Sequence, residues 1–93
     1  ALEAAACGVP VVAASVGGLR TLVEHDGTGL LVADRDPATF AAAIGAALDP
    51  ATGGRLGSAA AARARSYTWS TAAARLRRLY HDLSSRVPVT CAA

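Results

Sequence analysis

Residues 3–32 read EAAACGVPVVAASVGGLRTLVEHDGTGLLV, and this stretch decides the fold. A helical run ends at Gly8, where glycine commonly takes the left-handed conformation that stops a helix. Residues 11–14 and 30–32 are short, continuous apolar runs, which are typical of strands buried on both faces. A loop and a short helix over 19–24 separate them, and the turn at 25–29 supplies glycines where φ can be positive. The stretch predicts two buried strands joined through a helix.

Two further helices are expected after the second strand. Asp36 is a typical N-cap, and Pro37 fits the first position of a helix. This helix is expected to end at residues 49–50. Its apolar face is formed by four residues at helical spacing: Phe40, Ile44, Ala47 and Leu48. Gly53 and Gly54 are expected to break the chain before an alanine-rich helix over roughly 56–65.

The last helix begins near Trp69, with Thr68 or Ser70 as its cap. Its predicted buried stripe and the flanking residues are Ala72, Leu76, Leu79, Leu83, Ala73 and Tyr80. Arg78 and Asp82 lie opposite the stripe and are spaced for an i,i+4 pair. We expect Trp69 to pack this helix in place, and residues 85–93 to form a flexible tail.

The predicted order is therefore helix, strand, helix, strand and three helices. Alternating strands and helices with short connections indicate a parallel sheet, so the fold class is α/β. Two strands are too few for an independent sheet, and we expect further strands upstream of this sequence.

Size and composition indicate a chain that needs a neighbour. The 93 residues are 53% hydrophobic but only 4% aromatic, because alanine supplies most of the apolar count. Alanine contributes little buried area per residue, and a unit of this size is marginal by itself. The sequence also opens in a helical pattern without Met or an N-cap residue. We therefore expect a fragment that starts within a helix.

Charge and cysteine content exclude several classes of function. The net charge of +2 favours neither nucleic acid nor an anionic membrane as a partner. There is no signal peptide pattern, and no apolar run approaches the ~20 residues of a membrane span. Cys7 and Cys91 lack metal-type spacing, and we expect no disulfide between them. A reduced, cytoplasmic protein is expected, and arginine use without lysine suggests a GC-rich bacterial genome.

The stretch 3–32 resembles the GT-B glycosyltransferases of family 4, also called glycosyl transferases group 1. The similarity rests on Glu3 with the Gly-Val-Pro-Val-Val-Ala run, on Gly17-Gly18-Leu19, and on the Asp-Gly-Thr-Gly-Leu-Leu-Val segment from Asp26. The resemblance implies the C-terminal part of a Rossmann-like GT-B donor-binding domain. We accordingly divide the chain into a partial nucleotide-sugar-binding domain at 1–49, C-terminal helices at 50–84 and the tail at 85–93.

Retaining transfer of a sugar from a nucleotide diphosphate sugar is the activity that the resemblance implies. Glu3 matches the second glutamate of the family's E-x7-E motif, which typically hydrogen-bonds the ribose of the donor. The resemblance also implies that the backbone at Gly17 and Gly18 comes close to the bound donor. The first glutamate, the Arg and Lys that neutralise the diphosphate, and the N-terminal acceptor domain are not in this sequence. No catalytic residue is therefore assigned, and we expect the chain alone to be inactive.

Within the family, the sequence is similar to the D-inositol 3-phosphate glycosyltransferases of mycothiol biosynthesis. There the residue at the position of Val9 can offer its backbone carbonyl to a structural Mg²⁺, although no cofactor is required for the transfer. Two positions depart from that type: Val9 is not its usual residue, and Arg20 stands where Pro is common.

Alternative readings stay open beside this one. The chain could be a standalone nucleotide-binding or regulatory module, or an interaction protein that docks through its alanine-rich surface. Glu3 could be a solvated helix residue, and Gly17 and Gly18 plain loop glycines. We interpret His25 and His81 as turn or surface residues. The arginines of the last helix form an ordinary solvated face, so any membrane association is at most peripheral.

Overall fold

The structure is a computed structural model that describes residues 1–86. Its elements follow the predicted order, and they are α1 (Leu2–Ala6), β1 (Val11–Ala14), α2 (Leu19–Leu22), β2 (Gly29–Val32), α3 (Pro37–Leu48), α4 (Pro50–Ala64) and α5 (Trp69–Arg86). The α/β class with short parallel strands is thereby confirmed. Cys91 and the part of the expected tail at 87–93 lie outside the described residues, as does the question of a Cys7–Cys91 disulfide.

The two strands form a parallel sheet with α2 in the connection between them. Val11 pairs with Gly29 and Ala14 with Val32, so the strands are in register from end to end. A Cβ at Gly29 would overlap the backbone carbonyl of Val11 and the side chain of Val23. Gly29 is therefore required by close packing between the strands.

The short helix α2 and the following turn differ in detail from the prediction. The helix ends at Leu22, because Val23 turns extended and buries its side chain. In the turn, the non-glycine Asp26 has the positive φ of 60°, whereas Gly27 and Gly29 do not. The expectation that those glycines serve positive φ values is wrong. Asp tolerates the left-handed region better than most residues because its short polar side chain can bond locally.

Helix α3 begins as predicted, but α4 does not. The Asp36 carboxylate accepts a hydrogen bond from the Ala38 N–H, which caps α3. The predicted break at Gly53 and Gly54 is wrong, since α4 starts at Pro50 and runs through both glycines. Its cap is Asp49, which accepts from the Thr52 N–H, and Pro50 fits the first helical position.

The core is small and lies around α4. Helix α4 contacts α1, α3 and β2, while α3 contacts both strands. The buried apolar side chains within the described chain are Ala13, Val23, Val32, Leu56 and Ala60. Leu56 is wholly inaccessible to solvent. Much of the predicted face of α3 is open, because Leu48 remains 77% exposed and Ile44 about half exposed.

Helix α5 lies free of this core, contrary to the prediction of a buried stripe. Trp69 is 93% exposed, and the leucines at 76, 79 and 83 are about half exposed. Trp69 therefore does not pack the helix against residues 1–68. Thr68 caps the helix by accepting a hydrogen bond from the Thr71 N–H, which settles the choice between the two caps. The helix continues through Ser85 and Arg86, past the boundary placed at residue 84.

Candidate functional site

The loop at residues 15–18, here the carboxyl-edge loop, follows the end of β1. In open α/β sheets, ligands bind in the crevice outside the carboxyl ends of the strands. Gly17 has a φ of 52°, and a Cβ at Gly17 or Gly18 would meet nothing within 4 Å. Arg20 closes the loop by donating from Nε to the Ser15 carbonyl at 2.8 Å. The loop thus presents exposed glycine backbone at the edge where a ligand is expected.

Glu3 lies in the first turn of α1 and its side chain is exposed. Its carboxylate makes no hydrogen bond or ion pair with any other residue between 1 and 86. The helix that carries it ends in a Schellman motif, in which the Gly8 N–H donates to Ala5 and the Val9 N–H donates to Ala4. Gly8, with φ of 76°, packs directly on Gly57 of α4. The position of Glu3 is therefore fixed by backbone contacts, while its oxygens are free to accept.

Of the predicted donor-site residues, Gly17 and Gly18 share one loop and Glu3 belongs to a separate element. No hydrogen bond within residues 1–86 links Glu3 to the carboxyl-edge loop. A ligand that used all three would have to span from the first turn of α1 to this loop.

Val9 lies on the segment between α1 and β1 and is half exposed. It borders an open, mainly apolar groove formed with Pro10, Val12, Ile44, Leu48, Pro50 and others. Asp49 is the acidic residue of this groove, and its carboxylate is engaged in capping α4. Mg²⁺ is usually held by carboxylates and waters in octahedral geometry. Residues 1–86 contain no group of three His, Cys, Asp or Glu side chains placed for a metal. The contact of the Val9 backbone carbonyl with Mg²⁺ therefore stays a prediction, and no step is assigned to the metal.

Two ion pairs tie α4 to the turn before β2. Arg55 Nη2 lies 2.9 Å from Asp26 Oδ1, and Arg63 Nη1 lies 3.1 Å from Glu24 Oε2. Arg63 also donates to the Thr21 carbonyl at 2.9 Å. These partners are 29 and 39 positions apart, and no local pattern in the sequence signals them.

The same turn is braced from within. The buried Thr28 hydroxyl accepts the Glu24 N–H, and His25 Nδ1 accepts the Leu31 N–H at 3.0 Å. His25 is thus a turn residue bonded to backbone, as the sequence suggested. Together with the two ion pairs, these hydrogen bonds fix the turn that leads into β2.

Capping of α4 lowers the pKa of Asp49. The hydrogen bond from the Thr52 N–H, aided by the Thr52 side chain, holds the pKa of Asp49 below 3.8. This shift follows from capping and has no link to catalysis. No helix among residues 1–86 has the length and apolar character that crossing a membrane requires.

Comparison with known proteins identifies relatives of this arrangement. Residues 1–50 match the profile of the family described as glycosyl transferases group 1. The chain is 47% identical over 88 residues to the D-inositol 3-phosphate glycosyltransferase of Thermobispora bispora and 51% identical over 86 residues to that of Frankia alni. These matches cover 94% and 90% of this chain, but 21% of each relative. The chain thus spans about a fifth of the length of these relatives.

A solved structure agrees with the sequence relatives. Sucrose-phosphate synthase from Thermosynechococcus elongatus superposes with a TM-score of 0.77 at 39% identity, over 94% of this chain and 22% of that one. The resemblance to group 1 enzymes, including the D-inositol 3-phosphate type, is confirmed. The chain belongs to the family of glycosyl transferases group 1.

Proposed function

We propose that this chain forms part of the donor-binding half of a retaining glycosyltransferase that uses a nucleotide diphosphate sugar. The observation that carries the proposal is the free carboxylate of Glu3, at the head of the region that matches the family. A carboxylate accepts two hydroxyl donors at once, and charge-assisted bonds of this kind are strong. Glu3 would accordingly accept from the ribose hydroxyls of the donor.

The carboxyl-edge loop would provide this chain's second contact with the donor. Gly17 and Gly18 leave open space beside the backbone, so a ligand can approach the peptide groups closely. The names of the relatives suggest D-inositol 3-phosphate as the acceptor, which the N-terminal acceptor domain of a complete enzyme would bind.

Catalysis of sugar transfer requires more positive charge near the donor than the described residues supply. Departure of a nucleotide diphosphate needs positive groups held against it in the transition state. Arg55 and Arg63 are engaged in the ion pairs with the turn before β2. Arg20, at the carboxyl-edge loop, already donates to Ser15. We therefore expect the chain by itself to be inactive and to act only with the rest of a glycosyltransferase.

A graft tests the proposal. The segment of the Frankia alni relative that aligns with this chain is replaced by this chain, and sugar transfer is measured with the relative's own donor and acceptor. We expect the graft to retain transfer and the isolated chain to give background only. A graft that folds and binds acceptor but transfers nothing would contradict the proposal. Tight binding of a nucleoside diphosphate by the isolated chain would instead favour a standalone nucleotide-binding or regulatory module.

A further inference from the structure

The side chain of Arg20 reaches across the carboxyl-edge loop. Arg20 is the second residue of α2, and its Nε donates to the carbonyl of Ser15, the first residue after β1, at 2.8 Å. The hydrogen bond joins positions five apart in the sequence, so the backbone between them is held as a closed loop. Both partners belong to this chain, and the contact therefore needs no neighbouring surface.

The two ends of this loop are anchored in the fold. At its start, the Ser15 N–H donates to the Val32 carbonyl at the end of β2, at 2.9 Å. Beyond its end, Arg63 of α4 donates to the Thr21 carbonyl at 2.9 Å, and Val23 directly after α2 is buried. The side-chain hydrogen bond across the loop therefore links two points that the rest of the structure fixes.

The middle of the loop has little to hold it in one conformation. Gly17 and Gly18 carry no side chain, and glycine has more conformational freedom to lose than any other residue. A Cβ at either position would meet nothing within 4 Å of residues 1–86. Backbone hydrogen bonds within the loop join positions two to four apart, such as Leu19 N–H to Val16, so they fix single turns. Among the described residues, the one side-chain hydrogen bond that joins both ends of the loop is that of Arg20.

We propose that Arg20 is a positioning residue for the nucleotide-sugar donor, and that its Nε–H holds the carboxyl-edge loop in the conformation that contacts the donor. The inference rests on the proposed function, since it needs a donor at this loop. Arg20 acts through the loop backbone and does not itself touch the donor. A loop held in its binding conformation avoids the cost of ordering, whereas a loop that is only partly in that conformation lowers the apparent affinity by the same fraction.

Loss of this hydrogen bond should change affinity and leave the chemical step alone. The bond is exposed, so its removal should raise KM for the donor about three- to tenfold. The loop would hold the donor equally in the ground state and in the transition state, so kcat should stay unchanged. KM for the acceptor should also stay unchanged, because the acceptor binds the other domain of a complete enzyme.

Three substitutions of Arg20 separate the hydrogen bond from the charge. Arg20→Gln keeps a donor, because the glutamine amide nitrogen stands the same number of bonds from Cα as the arginine Nε. Arg20→Met has a similar length but no donor, and Arg20→Lys keeps the charge but carries its nitrogen one bond further out. We expect Arg20→Gln to stay close to the wild-type KM for the donor, and Arg20→Met to show the full rise. Arg20→Lys should be no closer to wild type than Arg20→Gln.

Steady-state kinetics of the graft in the Frankia alni relative is the test, with donor and acceptor varied in turn. The matched control is Arg65→Met, which removes an exposed arginine that makes no side-chain hydrogen bond within residues 1–86, and it should leave KM unchanged. A second measurement uses the 93-residue chain without substrate. The amide order parameters of residues 16–18 should fall in Arg20→Met and stay at the wild-type values in Arg20→Gln.

Three results would overturn this inference alone, provided that the wild-type graft transfers sugar. The first is a KM that Arg20→Met leaves unchanged. The second is a rise in KM that Arg20→Lys prevents and Arg20→Gln does not, which would show that the charge acts on the donor directly. The third is a lower kcat with an unchanged KM, which would indicate a role in folding or in the chemical step. A wild-type graft that folds but transfers nothing would instead overturn the proposed function, and this inference with it.

Discussion

Gly57 provides a quantitative test of how α1 and α4 are held together. It is buried in the middle of α4, and a Cβ there would overlap the carbonyl oxygen of Gly8 and lie 3.1 Å from its carbonyl carbon. Gly8 cannot easily yield, because its left-handed backbone ends α1 in the Schellman motif. The substitution Gly57→Ala should therefore force α4 away from the end of α1.

The expected magnitude is the sum of two opposing terms. Replacing glycine by alanine inside a helix stabilises it by roughly 1 kcal/mol. Overpacking against rigid atoms destabilises by about 1–3 kcal/mol. Since the overlapping atoms are backbone, we expect the upper part of that range and a net loss of about 1–2 kcal/mol for Gly57→Ala.

Gly54 supplies the matched control in the same helix. A Cβ at this exposed position would meet nothing within 4 Å, so Gly54→Ala should stabilise by about 0.5–1 kcal/mol. Urea unfolding followed by far-UV circular dichroism compares the two variants. A difference of 2 kcal/mol corresponds to about 1 M in the midpoint. If Gly57→Ala proved as stable as Gly54→Ala, the close contact between α1 and α4 would be refuted.

Three further predictions concern single side chains. Asp36→Ala removes the cap of α3 and should lower the free energy of unfolding by about 1 kcal/mol in the same urea assay; no change would show that the cap is not formed. Arg63→Ala breaks a partly exposed pair with Glu24 and the hydrogen bond to the Thr21 carbonyl, so it should cost about 1–2 kcal/mol, and the ion-pair part of this loss should shrink in high salt; no loss, or a loss that salt does not change, would contradict this. The lowered pKa of Asp49 stabilises the folded chain above pH 3.8, and this contribution is lost as the pH falls through the folded-state pKa. Asp49→Asn keeps a capping side chain without the charge, so the stability difference between wild type and variant should vanish in acid, and a constant difference would refute the assignment.

Local signals in the sequence predicted the order of the elements correctly. Gly8 ends α1 with the positive φ that a stop glycine adopts, and Asp36 caps α3 through its carboxylate. Both effects act within a few residues, so the neighbouring residues in the sequence are enough to predict them. The family motif at 3–32 is equally local, which is why the resemblance could be identified.

The errors have two causes, one local and one in what covers a surface. Gly53 and Gly54 indicated a break, but the cap at Asp49 starts α4 before them, and a Cβ at Gly53 would overlap the Ala47 carbonyl. The apolar face of α5 has the pattern of a buried face, yet burial needs a partner that residues 1–68 do not provide. Periodicity identifies an apolar face and says nothing of what covers it.

The most direct measurement uses the graft in the Frankia alni relative and asks whether Glu3 binds ribose. Losing a hydrogen bond to a charged group weakens binding by about 1.5–3 kcal/mol, so Glu3→Gln should raise KM for the donor roughly ten- to hundredfold. Asp82→Asn, which also removes one exposed carboxylate, should leave KM unchanged. With a donor whose ribose lacks both hydroxyls, Glu3→Gln should add no further loss. An unchanged KM for Glu3→Gln, or an equal penalty with the dideoxy donor, would contradict the assignment of Glu3 to the donor site.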